Sequence, residues 1–197
     1  MGLRDRNIDW LRKHVWRSAP NMSQSQILIP AAALAPMYEL GTTRLPAFEF
    51  DAAGQFCFDV LMLPFDMDPD FSVKFRLHYS GKSTTAADTY TWKGFYNNAL
   101  SAAAAVDPAT ALDTDFGATN VLSGTASQIG RTGWGVINAL KWTRSQVETG
   151  HLIGLEFELD ASDATLATEQ VYLIGYEFSY VPQYTQGLGA QRDVDAA

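Results

Sequence analysis

Side chains able to carry catalysis, metal ligation or phosphate binding are few in this chain and widely scattered. Its 197 residues hold one cysteine, Cys57, and three histidines, His14, His78 and His151. A single thiol excludes an intrachain disulfide and a multi-thiolate zinc site, and the histidines share no metal-ligand spacing. Cys57 lies between Phe56 and Phe58 with no cation beside it in sequence. It therefore reads as a small packed side chain and not as a nucleophile. No serine stands in a G-x-S-x-G elbow.

Three patterns come closer to a chemical motif. Gly81-Lys82-Ser83 matches the end of a phosphate loop, but the glycine required five residues earlier is Arg76. It reads as a hairpin turn. Asp66, Asp68 and Asp70 alternate as oxygen donors, yet the EF-hand glycine and glutamate positions hold Phe71 and Leu77. They read as a polar loop turned by Pro69, with a cation site of another kind left open. Glu156 and Glu158 have the residue types of a glycosidase acid–base pair. Their spacing equally suits charges on a solvated sheet face, which is the reading adopted. No catalytic, cofactor-binding or metal-binding residues are expected, and the chain is not expected to be an enzyme.

The elements that must position any site are strands. Phe71, Val73, Phe75, Leu77 and Tyr79 alternate with Ser72, Lys74, Arg76 and His78, a half-buried strand with one solvated or interfacial face. In 55–63, Phe56, Phe58, Val60 and Met62 share a face, with Cys57 and Asp59 opposite. Further runs are Thr89–Tyr96, with Tyr90, Trp92 and Phe95, and Leu152–Asp160, with Ile153, Leu155, Phe157 and Leu159. The last is 170–181, with Tyr172, Ile174, Tyr176, Phe178 and Tyr180 on one side. One helical turn is expected within 142–150, ending at Gly150. At least five strong strands and almost no helical periodicity predict an all-β fold, an antiparallel jelly-roll β-sandwich with an extended N-terminal arm.

Composition agrees with a packed domain: 47% of residues are hydrophobic and 18% charged, which excludes a disordered chain. No run reaches the ~18 apolar residues of a membrane span, so no membrane partner is expected. A net charge of -8 makes the whole a poor match for nucleic acid, and none is expected as a partner. The charge is uneven. Residues 1–17 carry five basic side chains against Asp5 and Asp9, leaving nine basic and twenty acidic for the rest. Arg12, Lys13 and His14 interrupt Trp10, Leu11, Val15 and Trp16, so no secretory apolar stretch forms there. Ile8, Leu11 and Val15 have helical spacing and predict a short basic helix.

Residues 18–47 hold half of the eight prolines together with Ile27, Leu28, Ile29, Met37 and Tyr38. This is an extended segment too apolar to stay in solvent. It wraps its own domain or grips a neighbour. The expected organisation is an arm over 1–46, a jelly-roll domain over 47–182 with an Ala/Gly-rich insertion at about 97–133, and a tail over 183–197. Partner-binding candidates are Arg4, Arg6, Trp10, Arg12, Lys13, Trp16 and Arg17, the cationic and aromatic residues of the arm.

Several stretches carry a resemblance. They are Leu3-Arg4-Asp5-Arg6-Asn7-Ile8-Asp9-Trp10, Val60-Leu61-Met62-Leu63-Pro64, the Phe71–Tyr79 strand, the 150–160 strand beginning Gly150-His151-Leu152, and the Val171–Tyr180 strand. In order and texture the chain resembles small jelly-roll virion proteins of tailed bacteriophages, including capsid cement (decoration) proteins. That resemblance implies a homotrimer bound to the major capsid protein on the virion surface, with no catalytic residues to carry over. The 97–133 stretch departs from it. An alternative is a carbohydrate-binding jelly-roll module of a phage tail or vertex fibre. There Tyr90, Trp92, Trp134 and Trp142 are the candidate stacking surfaces.

Overall fold

Period-two alternation of apolar and polar residues builds two antiparallel sheets that face each other across an aromatic core. The computed structural model describes residues 12–18, 37–40, 45–82, 88–97, 110–116, 120–121, 128–162 and 169–183. The larger sheet contains β1 (Lys13–Ser18), β2 (Met37–Leu40), β3 (Leu45–Phe50), β5 (Val73–Gly81), β9 (Ile129–Arg131), β10 (Gly135–Ile137) and β12 (Val171–Tyr180). The smaller contains β4 (Phe56–Met62), β6 (Thr89–Asn97), β7 (Thr110–Ala111), β8 (Asn120–Val121) and β11 (Leu152–Ser162).

Pairing is nested. β3 lies against β12, β4 against β11, β5 against β9 and β10, and β6 against β7 and β8. Early strands thus meet late ones in reverse order, as in a long hairpin rolled over itself, and the sandwich is a jelly roll. Rings meet across the interior, with Phe50 edge-on to Trp92 at 5.1 Å and Phe157 against Tyr176 at 5.0 Å between centroids. The helical turn expected within 142–150 is a short helix α1 (Arg144–Glu148), started by a capping box from Thr143 and Gln146. It stops at Gly150, whose positive φ of 68° favours glycine. Among the described residues no helix is long and apolar enough to cross a membrane.

Several expectations need correction. The helix expected in the arm ends, within the described residues, as strand: Lys13–Ser18 is β1, paired antiparallel with β12 from Tyr180 to Gly175. β3 pairs only with Val171–Leu173, so the rest of that β12 edge would have unpaired backbone N–H and C=O groups. Satisfying them outweighs a weak helical spacing. Residues 1–11 lie outside the described residues, as do 19–36. β3 begins at Leu45, before the expected boundary of the domain, and β2 pairs with it from within the expected arm.

The stretch 97–133 is not simply an insertion. It contributes β7, β8 and β9 to the edges of β6 and β5, while Leu112 and Phe116 are buried in the core. These strands have two or three residues each, too short to leave a period in the sequence. Gly81 and Lys82 lead from β5 to β6, which lie in different sheets, so the segment is no hairpin turn.

Two strand faces also differ from their reading. In β4 the core face carries Cys57, Asp59 and Leu61, while Val60 and Met62 point outward. Both faces of β4 are rich in apolar side chains, so alternation alone could not orient it. In β12 a register shift between Leu173 and Gly175 changes which residues face inward. Val171 and Leu173 join the main core before it, and Tyr176, Phe178 and Tyr180 after it, while Tyr172 and Ile174 cluster with Ala47. A bulge inserts one residue and reverses the parity of all that follow.

Candidate functional site

The solvated face of β5 becomes part of a cleft because β12, β1 and the β9–β10 edge lie beside it. Across the larger sheet, His14 stands opposite Ser179, which stands opposite Lys74. The next rung is Trp16, Glu177 and Arg76; the third is Ser18, Gly175, His78 and Arg131. Arg12, His14, Lys74, Arg76, Trp134 and Ser179 line an open cleft of about 330 Å³. Its walls are cationic on a protein of net charge -8.

Glu177 organises the cationic groups. Arg76 donates to its Oε2 from Nη2 at 2.5 Å and Nε at 3.2 Å, and His14 Nδ1 lies against its Oε1. His78 Nε2 is 3.6 Å from Oε2. Burial pushes the Glu177 carboxyl up, but hydrogen bonds and charge from Arg76 and His14 outweigh it and hold it below its ordinary range. His78 is shifted downward, chiefly by burial, against the pull of Glu177. The Arg76 guanidinium also lies 4.4 Å from the centre of the Trp134 ring, which fixes that half-buried indole at the cleft wall. Arg12 donates to Ser72 O at 2.9 Å and Oγ at 3.3 Å, anchoring its head at the entrance. At the floor the Ser179 hydroxyl is fully buried, and its Oγ has no hydrogen-bond partner among the described residues.

The candidate partner-binding residues of the arm separate. Arg4, Arg6 and Trp10 lie outside the described residues. Arg12 enters the cleft, and Trp16 packs edge-on to His78 at 4.6 Å. Lys13 and Arg17 point away and tie β1 to the rest of the molecule. Lys13 Nζ reaches Asp66 at 2.5 Å, and Arg17 makes a fork to Asp59, Nε to Oδ2 at 3.0 Å and Nη2 to Oδ1 at 2.9 Å. Asp59 also accepts from the Tyr176 hydroxyl at 2.7 Å. That network joins β1 and β12 of one sheet to β4 of the other.

Other sequence candidates are placed too. Asp66 accepts from both Lys13 and Tyr180, and Asp68 is buried and accepts from the Asp70 N–H at 3.0 Å. Glu156 and Glu158 lie on the outer face of β11, paired with Phe58 and Phe56 of β4, in the sheet away from the cleft. Cys57 is fully buried, and burial pushes its thiol pKa well up. Of the four proposed stacking aromatics, Tyr90, Trp92 and Trp142 are in the core, and Trp134 is at the cleft. His14, Lys74 and Ser179 were not singled out as site residues. The polar alternation of β5 signalled Lys74; nothing local connected His14 or Ser179 to it.

No family model matches the chain, and no curated protein matches it. Solved structures similar to it include dimeric latent PorU from Porphyromonas gingivalis, at 12% identity and a TM-score of 0.43, over 89% of this chain. The chain spans only 13% of the length of that protein. The CBM36-1 domain of a multidomain xylanase from the hindgut metagenome of Trinervitermes trinervoides is 8% identical, with a TM-score of 0.39, over 85% of this chain and 95% of that one. The infectious bursal disease virus VP2 subviral particle is 7% identical, with a TM-score of 0.28, over 93% of this chain and 38% of that one.

Proposed function

We propose that the chain is a non-catalytic recognition module that binds carbohydrate in the cleft of the larger sheet. One observation carries the reading: a polar, open cleft of about 330 Å³ with an indole at its wall, Trp134, and an unsatisfied hydroxyl at its floor, Ser179. An apolar ligand fits such a lining poorly, because its polar groups would lose water without replacement. A sugar presents hydroxyls for those groups and an apolar C–H face for the indole. In the setting that the sequence resemblance implies, this module belongs to a tail or vertex fibre. The test is a glycan array with the full chain. W134A is expected to abolish binding, whereas an array without signal overturns the reading.

A second reading, the capsid cement protein, is favoured by a different feature. Val60, Met62, Phe65 and Leu152 are 40–57% exposed, and Met62 stands opposite Leu152 on adjacent strands of the smaller sheet. Apolar side chains gathered on a surface mark protein contacts, which here means neighbouring copies in a homotrimer or the major capsid protein. Co-purification with virus particles at a fixed ratio to the shell protein tests it. M62S/L152S is expected to abolish that association, and its persistence would remove the patch from the argument.

A further inference from the structure

We infer that β1 is an exchangeable strand: in an assembly it leaves its own domain and lies along β12 of a second copy of this chain. The observation behind this is that β1 fastens the sandwich without filling it. None of its six residues is buried, and none belongs to the core. Opposite the core residues Tyr180, Phe178 and Tyr176 stand Lys13, Val15 and Arg17, two cations and a valine that is 38% exposed. A strand that offers two charges beside three buried rings is not held there by apolar burial. Its fastenings are the backbone ladder to β12 and polar contacts to three carboxylates: Lys13 to Asp66, His14 to Glu177 and Arg17 to Asp59. The carboxylates all belong to the body of the domain, on β12, on β4 and in the loop between β4 and β5.

A second copy offers the same edge and the same carboxylates, so a strand that moves to it re-forms each of these contacts. The chain is long enough for the move. Residues 19–36 separate Ser18 from Met37, eighteen residues in all. At about 3.3 Å per residue they reach up to about 60 Å, against about 40 Å for the diameter of a domain of this size. Charge favours the move as well. Residues 1–17 are net positive and the remainder is net negative, so the body of one copy attracts the strand of another. A strand tethered to its own domain competes at an effective concentration of about 1 mM. The chain is therefore closed on itself in dilute solution and exchanges where copies are crowded together. Arg12 and His14 line the cleft, so in the exchanged form each cleft is built from two chains.

Two full-length variants, H14C and S179C, test the exchange. His14 stands opposite Ser179 on adjacent strands, a separation of about 5 Å that a disulfide spans. Ser179 is fully buried, so a thiol there is reached by a strand lying across it, and the native Cys57 is buried as well. The two variants are mixed at about 1 mM in about 1 M salt, which weakens the exposed ion pairs, then diluted and oxidised. A covalent heterodimer joined through the two introduced thiols is expected, with at least about tenfold more of it than from a mixture held at about 10 μM. Absence of that heterodimer, with the bond forming inside the H14C/S179C double variant, overturns the inference and leaves β1 fixed on its own domain. Where S179C does not fold or the double variant does not close, K13D and D66K decide, both at partly exposed positions. Each alone sets like charges against one another, and a swapped heterodimer restores both pairs. Native mass spectrometry of the mixture should show the heterodimer in at least about fivefold excess over its statistical proportion. The statistical proportion, or monomers throughout, overturns the exchange.

Discussion

Replacing Gly175 with alanine tests how β1 is held on the sheet. A Cβ at this position would sit 2.2 Å from the Arg17 carbonyl oxygen, 2.9 Å from Ser18 Cα and 3.0 Å from the Trp16 indole. Two of these are backbone atoms of β1, so they cannot turn aside as a side chain does. Gly175 also has a φ of 159°, which L side chains rarely adopt, so alanine adds backbone strain to the clash. Overpacking costs about 1–3 kcal/mol, and with rigid neighbours the upper half of that range applies. Lifting the end of β1 also draws Arg17 from Asp59. Breaking a fully buried pair costs about 3–5 kcal/mol; with Arg17 29% exposed and Asp59 3%, about 2–3 kcal/mol is expected for R17M. G175A alone should therefore cost about 2–3 kcal/mol, a fall in Tm of about 4–10 °C for a chain of this size. The double variant should cost about 1–2 kcal/mol less than the two singles together, because both remove the same contact. Urea denaturation measures these energies, and hydrogen exchange over residues 12–18 should rise in G175A. An alanine variant within about 0.5 kcal/mol of the parent, or strictly additive energies, would refute the placement of β1 over Gly175.

Acid should loosen the same strand. Glu177 and Asp66 are both held below their ordinary values, Glu177 by Arg76 and His14 and Asp66 by Lys13 and Tyr180, in each case against burial. Their stabilisation is present above the ordinary values of 4.5 and 3.8 and is lost as the pH falls through the lower folded values. His78, also depressed, adds a loss of the same sign that begins below its ordinary 6.5. Denaturation midpoints from pH 7 to pH 3 should fall continuously, and E177Q should flatten the lower part of the curve. The Cys57 thiol should react with a disulfide reagent only on unfolding, since it is fully buried and its pKa is raised by burial and by the charges of Asp59 and Glu156; modification of the native protein within minutes at pH 8 would contradict this. T143A should cost about 1 kcal/mol through loss of the α1 cap, measured by urea denaturation.

Strong periodicity made much of the sandwich legible in the sequence. β5 and β11 alternate cleanly because each has one face in the core and one outside, and their inward residues agree with the structure. Where a strand is apolar on both faces, as in β4, or carries a bulge, as in β12, period-two reasoning has no way to choose the inner face. Short strands such as β7, β8 and β9 exist only because longer neighbours offer them an edge.

The site divides in the same way. The polar face Lys74, Arg76 and His78 and the basic character of residues 12–17 were visible in the sequence by itself. Joining them was a tertiary event. Arg12 and His14 lie about sixty residues before Lys74 and Arg76, and Glu177 and Ser179 about a hundred after them. They meet because β12 must pair its backbone on both sides, with β5 along one edge and with β3 and β1 in turn along the other. A local pattern records which face of a strand is polar. Which other polar faces lie beside it is decided by the hydrogen bonds that each strand edge must find.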